Sequence, residues 1–234
     1  MERKIEYKNI FFDLDRTLWD FETNSLEVLQ EIYDHFNLYD LGIINCKSFI
    51  YQYKKNNERL WSLYRENKIN QLDLRRDRFY STLKFYGVNN ISLSEDIGEF
   101  YTDVCPKKTK LFPNVIESLD YLHQKYDLHI ITNGFKKTQH IKLTYSNLLK
   151  YFKFVITSEE IGYKKPNSEI FRFALKKANA NKVESVYVGD DLIVDIMGCQ
   201  KFGIDGIYFN PNKNQHSKIV KYEIHNFNQL KDIL

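Results

Sequence analysis

The sequence predicts an α/β domain with a doubly wound parallel sheet, interrupted by an inserted α-helical subdomain. Three observations predict it. Five short apolar runs are bounded by turn-like or polar residues and show no clean in–out alternation, as strands buried on both faces do. Helical patterns lie between the later runs, so strand and helix alternate from about residue 110 onward. Between Trp19 and Lys107, by contrast, helical periodicity dominates and no convincing strand occurs.

In chain order, Asn9–Leu14 is the first predicted strand. Leu26, Leu29, Tyr33 and Phe36 then fall on one helical face, and Leu60, Leu63 and Tyr64 begin another. A crossover helix needs far fewer residues than this stretch offers. A helical subdomain over 19–107 is the simplest account, and it leaves a discontinuous core of 1–18 and 108–234. The core resumes with a helix whose face carries Val115, Leu119, Leu122 and Tyr126. Strands are predicted at Leu128–Thr132 and Phe154–Thr157. Pro166-Asn167-Ser168-Glu169 opens a further helix with Phe171, Ala174, Leu175 and Ala178 on one face. Ser185–Gly189 and Gly206–Phe209 complete the strands.

Composition narrows the class. With 234 residues, 43% hydrophobic, and 17 Tyr and 17 Phe, the chain can fill a sizeable core, which excludes a disordered or fibrous protein. Lys and Arg number 34 against 31 Asp and Glu, so bulk electrostatic binding of nucleic acid is not expected. Cys46, Cys105 and Cys199 are widely spaced and form no CxxC, as expected of reduced thiols in a cytoplasmic protein. No run approaches the roughly 20 apolar residues of a membrane helix. The apolar run Ile10-Phe11-Phe12 breaks at once on Asp13, unlike an export signal, so no membrane partner is expected.

In open α/β sheets, ligands gather beyond the carboxyl ends of the strands. Those ends carry Asp13-Leu14-Asp15-Arg16-Thr17-Leu18, Thr132-Asn133-Gly134, Lys164-Lys165-Pro166 and Gly189-Asp190-Asp191. Clustered carboxylates repel unless a cation neutralises them, and oxygen-only ligands favour a hard ion, Mg²⁺ above all. A carboxylate beside such an ion can attack phosphorus and form an aspartyl-phosphate. A second carboxyl two residues on can protonate the leaving oxygen and then activate water. Lys165, the Thr132 hydroxyl and N–H groups around Asn133-Gly134 offer donors for a phosphoryl group.

Four motifs stand in order: DLDRTL at Asp13–Leu18, ITNG containing Thr132, Lys165-Pro166, and GDDLIVDIMG from Gly189 to Gly198. Together they resemble the haloacid dehalogenase-like (HAD) superfamily, and the insertion resembles that family's C1 helical cap. The resemblance implies a Rossmann-like core, with Asp13 as nucleophile and metal ligand. It implies Asp15 as general acid/base whose main-chain carbonyl also binds Mg²⁺, Thr132 and Lys165 as phosphate binders, and Asp190 as the third metal ligand. Asp195 is expected to support the ligands. Lys164 competes for the lysine role, and Lys165 is preferred because the family's lysine directly precedes proline.

Trp19-Asp20-Phe21, Leu60-Trp61 and Arg78-Phe79, the last following a Lys68–Asn70 turn, resemble the pyrimidine 5′-nucleotidase group. That likeness implies nucleoside 5′-monophosphates as substrates. The alternatives are a sugar-phosphate phosphatase, a phosphomutase, or a non-catalytic binding protein, which would be expected to have lost a motif residue. The superfamily's dehalogenases lack the second aspartate of the first motif, since no leaving oxygen needs a proton, so Asp15 argues against them. Arg75, Arg76 and Arg78 either meet a nucleotide or form a solvated face, and Trp19 and Phe21 either line a pocket or brace the insertion. Lys136, Lys137, His140 and Lys142 are expected on a solvated helix. The role of Asp191 is open.

Overall fold

The computed structural model describes residues 6–234. The chain divides into two compact units: Glu22–Lys108, and the flanking segments up to Phe21 and from Thr109 to Leu234.

The first strand, β1 (Asn9–Phe12), is followed by four helices: α1 (Phe21–His35), α2 (Cys46–Arg65), α3 (Gln71–Phe85) and α4 (Ile91–Val104). Asparagines start three of them. Asn45 accepts from the Ser48 N–H at 3.0 Å, and Asn90 from the Leu93 N–H at 3.0 Å. Asn70 and Asp73 form a reciprocal box, each side chain accepting from the other's N–H. Each cap satisfies a helix-end donor and is worth roughly 1 kcal/mol. The buried stripe of α1 is Asn24, Ser25, Val28, Leu29 and Ile32, whereas Leu26 is exposed. Of the predicted face, Leu29 is buried and Tyr33 and Phe36 are half-buried, and Leu26 alone falls outside it. Two polar residues belong to the buried stripe, and Ser25 is accommodated by a 2.8 Å hydrogen bond with the Tyr101 hydroxyl.

Tyr53, Phe79 and Tyr101 pack ring against ring inside this unit, with centroids 4.9–5.6 Å apart. The arginine cluster divides there. Arg76 is exposed and pairs with Asp73 and Asp77, as a solvated face requires. Arg78 is buried, its guanidinium 4.6 Å from the centre of the Tyr101 ring.

In the other unit, α5 (Val115–Leu122) leads to β2 (Asp127–Thr132), α6 (Lys136–Tyr145) and β3 (Phe152–Thr157). Tyr126 falls outside α5, in the turn before β2. The chain continues through the short α7 (Ser158–Ile161), α8 (Ser168–Ala178) and β4 (Ser185–Gly189). It closes with α9 (Gly198–Phe202), β5 (Asp205–Phe209), β6 (Tyr222–Ile224) and α10 (Leu230–Ile233).

The six strands form one parallel sheet in the order β3-β2-β1-β4-β5-β6. All five predicted strands are present, although β1 stops at Phe12. The sixth, β6, escaped prediction because three residues at a sheet edge, of which Ile224 alone is buried, carry no two-faced apolar signature. Phe11, Ile131, Ile156 and Tyr187 project from the sheet onto Phe171, Ala174 and Leu175 of α8 and onto Cys199 and Phe202 of α9. Burying each large apolar side chain contributes about 1.5–3 kcal/mol. Among the described residues, no helix is long and apolar enough to cross a membrane.

Topology then places the site. The chain moves outward from β1 through β2 to β3, and returns to the other side of β1 with β4. The strand order reverses at β1, which opens a crevice beyond the carboxyl ends of β1 and β4.

Candidate active site

Pairing with β4 continues one residue past β1, because the Asp13 N–H donates to the Val188 carbonyl at 2.9 Å. The chain then folds back on itself. The Leu14 carbonyl accepts from the N–H groups of Leu18 and Trp19, and Arg16 adopts a left-handed φ of 65°. Leu14, Leu18 and Trp19 are fully buried under this loop, which leaves Asp13 and Asp15 to serve the crevice.

Lys165 reaches Asp13. Its Nζ donates to Asp13 Oδ1 at 2.5 Å, and lies 2.7 Å from both Asp195 Oδ1 and the Tyr187 hydroxyl. The segment bearing it is tied to the end of β2 by Asn133. That side chain accepts from the Lys165 N–H at 2.8 Å and donates to the Lys165 carbonyl at 3.0 Å. The Asn133 amide thus serves the loop, while the Gly134 N–H donates to Thr132 Oγ1 at 3.0 Å.

Beyond β4, Asp190 accepts from Thr17 Oγ1 at 3.0 Å. Asp191 caps the next turn, accepting from the N–H groups of Ile193 and Val194, which gives this open residue a backbone role. The wide turn Leu192–Met197 brings Asp195 back toward the strand end. Asp195 accepts from the Asp191 N–H at 3.1 Å through one oxygen and from Lys165 and Tyr187 through the other.

Carboxylate oxygens of Asp13, Asp190 and Asp195 lie within 4.8 Å of one another. Desolvation pushes Asp13 above the usual carboxylate range; Lys165 opposes that rise and Asp195 adds to it. Asp190 rises for the same first reason, reinforced by Asp195 and Asp13. Burial acts to lower Lys165, but the carboxylates of Asp13 and Asp195 outweigh it and hold the amine above its ordinary value. One buried lysine among three acids leaves negative charge that a divalent cation would balance. The donors are all oxygen, the ligand type that a hard ion such as Mg²⁺ takes, and Asp13 and Asp190 lie close enough to share one ion. The residues present fit that ion.

Asp15 belongs to a different set of contacts. Its carboxylate accepts from Gln139 Nε2 at 2.9 Å and from Lys142 Nζ, both on α6. Gln139 Oε1 in turn accepts from Thr132 Oγ1 at 3.3 Å. Lys136, Lys137 and His140 are exposed as expected, but Lys142 is 4% exposed and its placement on a solvated helix is corrected. The signal was present in the spacing: Gln139, Lys142 and Leu143 share the buried face of α6. Trp19 covers Lys142, its ring centre 4.2 Å from Nζ.

Residues 10–209 match the family model of the haloacid dehalogenase-like hydrolases. The chain is 30% identical to the HAD-hydrolase YfnB of Bacillus subtilis, over 97% of this chain and 95% of that protein. The crystal structure of YfnB bound to magnesium superposes with a TM-score of 0.87, covering 97% and 98% of the two chains at 28% identity. Pyrimidine 5′-nucleotidase YjjG of Escherichia coli is 30% identical, over 88% of this chain and 87% of its own. L-2-haloacid dehalogenase from Xanthobacter autotrophicus shares the fold, with a TM-score of 0.75 at 14% identity over 97% and 98% of the chains. By sequence and by architecture, the chain belongs to the haloacid dehalogenase-like hydrolases.

Proposed function

We propose that this hydrolase is a Mg²⁺-dependent phosphomonoesterase working through an aspartyl-phosphate on Asp13, with nucleoside 5′-monophosphates as its substrate class. The observation that carries this reading is the separation of two carboxylates two residues apart. Asp13 joins Lys165 and the acidic cluster, whereas Asp15 is held by Gln139 and Lys142. A nucleophile and a proton carrier need different surroundings, and these differ.

In the first half-reaction, an Asp13 oxygen attacks phosphorus and the ester P–O bond breaks. Asp15 gives its proton to the departing oxygen, releasing the alcohol. In the second, the Asp15 carboxylate takes a proton from water, whose oxygen attacks phosphorus. The Asp13–phosphorus bond breaks and orthophosphate leaves. Lys165 donates to phosphoryl oxygens, the Thr132 hydroxyl turns its one proton from Gln139 to join it when substrate enters, and Asn133 holds the loop that carries Lys165 beside them. Asp13, Asp190 and the Asp15 main-chain carbonyl would hold Mg²⁺, which when bound supplies positive charge opposite the phosphoryl oxygens. Asp195, both of whose oxygens already accept from protein donors, supports Lys165.

The core handles only the phosphoryl group, which every phosphate ester shares. Selection among esters is assigned to the helical insertion 19–107, and the relationship to YjjG favours a nucleoside as the leaving group. Asp15 speaks against dehalogenation, where no leaving oxygen takes a proton. The test is phosphate release from UMP, dUMP, dTMP and a set of sugar phosphates, with Mg²⁺ and with EDTA. Release from the nucleotides that EDTA abolishes is expected. Release from none of these esters, or release indifferent to EDTA, would overturn the reading.

A further inference from the structure

A single helix accounts for both donors to the Asp15 carboxylate described above. α6 presents Gln139 and Lys142 three residues apart, one donating to Oδ2 and the other to Oδ1. Each carboxylate oxygen then keeps a second lone pair for proton exchange. Gln139 is 1% exposed and Lys142 4%, so neither donor is a surface side chain making a chance contact. Burying an ammonium group costs several kcal/mol unless a partner offsets it, and a leucine or methionine would cover the same helical face without that penalty. Asp15 and the face of Trp19 are what Lys142 meets there. Gly134 makes room for the arrangement, since a Cβ at that position would fall 2.2 Å from Gln139 Nε2.

We propose that Gln139 and Lys142 are positioning residues that hold the Asp15 carboxylate at the angle from which it exchanges a proton with the leaving oxygen and then with water. The proposal rests on the phosphomonoesterase reading above. An aspartate on a loop turns about two side-chain bonds, and proton transfer requires heavy atoms within about 2.6–3.2 Å. Two buried donors from one rigid helix remove that freedom. Thr132, through Gln139, ties the same helix to the end of β2.

A positioning role and a merely structural ion pair differ in their dependence on the leaving group. p-Nitrophenolate departs unaided, whereas the 5′-alkoxide of UMP needs a proton. First-turnover rates are measured for both esters with Mg²⁺ in the wild-type chain, Lys142→Met, Lys142→Arg and Gly134→Ala. Lys142→Met should slow the first turnover of UMP about 10²-fold, the lower end of what general acid catalysis contributes. It should leave the nitrophenolate burst nearly intact and slow the steady state that follows, because water attack also uses Asp15. Lys142→Arg, which keeps a charged donor, should recover most of the UMP rate. Gly134→Ala, which dislodges Gln139 while leaving both acids in place, should repeat the Lys142→Met pattern. Equal losses on the two esters, or no loss on UMP, overturn the proposal. If Lys142→Met fails to fold by near-UV circular dichroism, Gly134→Ala and Gln139→Met decide by the same criterion. A wild-type chain that releases phosphate from neither ester overturns the phosphomonoesterase reading itself.

Discussion

Gly189 and Asp195 leave no room for one more carbon between them. A Cβ on Gly189 would sit 2.5 Å from Asp195 Oδ2 and 2.6 Å from Asp195 Cβ. The Cβ is fixed to the backbone and cannot swing aside, so Gly189→Ala must displace the turn that presents the carboxylate. Overpacking of this kind costs about 1–3 kcal/mol. The expected result is a lowered unfolding midpoint together with a loss of activity, because Lys165 loses a charged neighbour. Thermal unfolding followed by phosphate-release assays checks both, and wild-type activity in the variant would contradict the packing.

Asp13→Asn and Asp15→Asn should fail differently. The first keeps shape but removes the attacking charge and a carboxylate ligand, so phosphate release should fall to background while the circular dichroism spectrum persists. The second removes the proton carrier but spares the main-chain carbonyl. Its turnover should drop by about 10²–10⁴-fold with Mg²⁺ affinity retained. With p-nitrophenyl phosphate, whose leaving group needs no proton, rapid acid quench should reveal phosphoenzyme accumulating in Asp15→Asn and none in Asp13→Asn. Calorimetric titration with Mg²⁺ provides the binding comparison.

His129 should make the protein sensitive to mild acid through stability alone. It lies in β2, 2% exposed, with Nε2 3.0 Å from Asn9 Oδ1 and its ring stacked on Phe154. Its Nδ1 has no hydrogen-bond partner, and burial lowers its pKa from 6.5 to about 4. Between those values the unfolded chain binds a proton that the folded chain refuses, so stability falls as pH drops from 6.5 toward 4. The slope from this group is at most about 1.4 kcal/mol per pH unit. His129→Gln, which retains a donor toward Asn9, should flatten the acid limb of stability against pH. Unfolding midpoints from pH 7 to 4 provide the check, and parallel curves for the two proteins would rule out His129 as the cause.

Two arginines of α3 should respond unequally to truncation. Arg76→Ala removes an exposed ion pair with Asp73 and Asp77 and should change stability by no more than about 0.5 kcal/mol. Arg78→Ala empties a buried site beside Tyr101 and Phe79 and should cost about 2 kcal/mol or more. Chemical denaturation of the two variants distinguishes them. A similar loss in both would mean that the aromatic contacts contribute nothing.

The sheet was legible because parallel strands are apolar on both faces, and such runs survive inspection without any knowledge of pairing. Its strand ends located Asp13, Lys165 and Asp190, which the fold brings to one crevice. Lys142 was misread because a lysine on a helix bearing Lys136, Lys137 and His140 looks solvated by composition. Only its helical phase relative to Gln139 and Leu143 gave it away. The α1 face was read only in part for the converse reason: Asn24 and Ser25 are polar letters on a buried stripe. β6 lacked enough residues to carry a pattern. In each case the missing information was a tertiary neighbour, such as Asp15 for Lys142 or Tyr101 for Ser25.

β1 is flanked on both edges by strands that come much later in the chain. During synthesis the central strand emerges early and has nothing to pair with until Asp127–Thr132 appears, by which time the four helices of 22–108 have left the ribosome. Domains fold vectorially as they emerge, at about 5–20 residues per second, so the insertion can settle while Ile10, Phe11 and Phe12 still face water or a chaperone. A nascent chain arrested before Ser185 would carry Asp13 and Lys165 without β4 or Asp190. A fragment that stops before β4 therefore lacks both the strand that pairs with β1 up to Asp13 and two of the three clustered acids, so the acidic cluster cannot assemble in it.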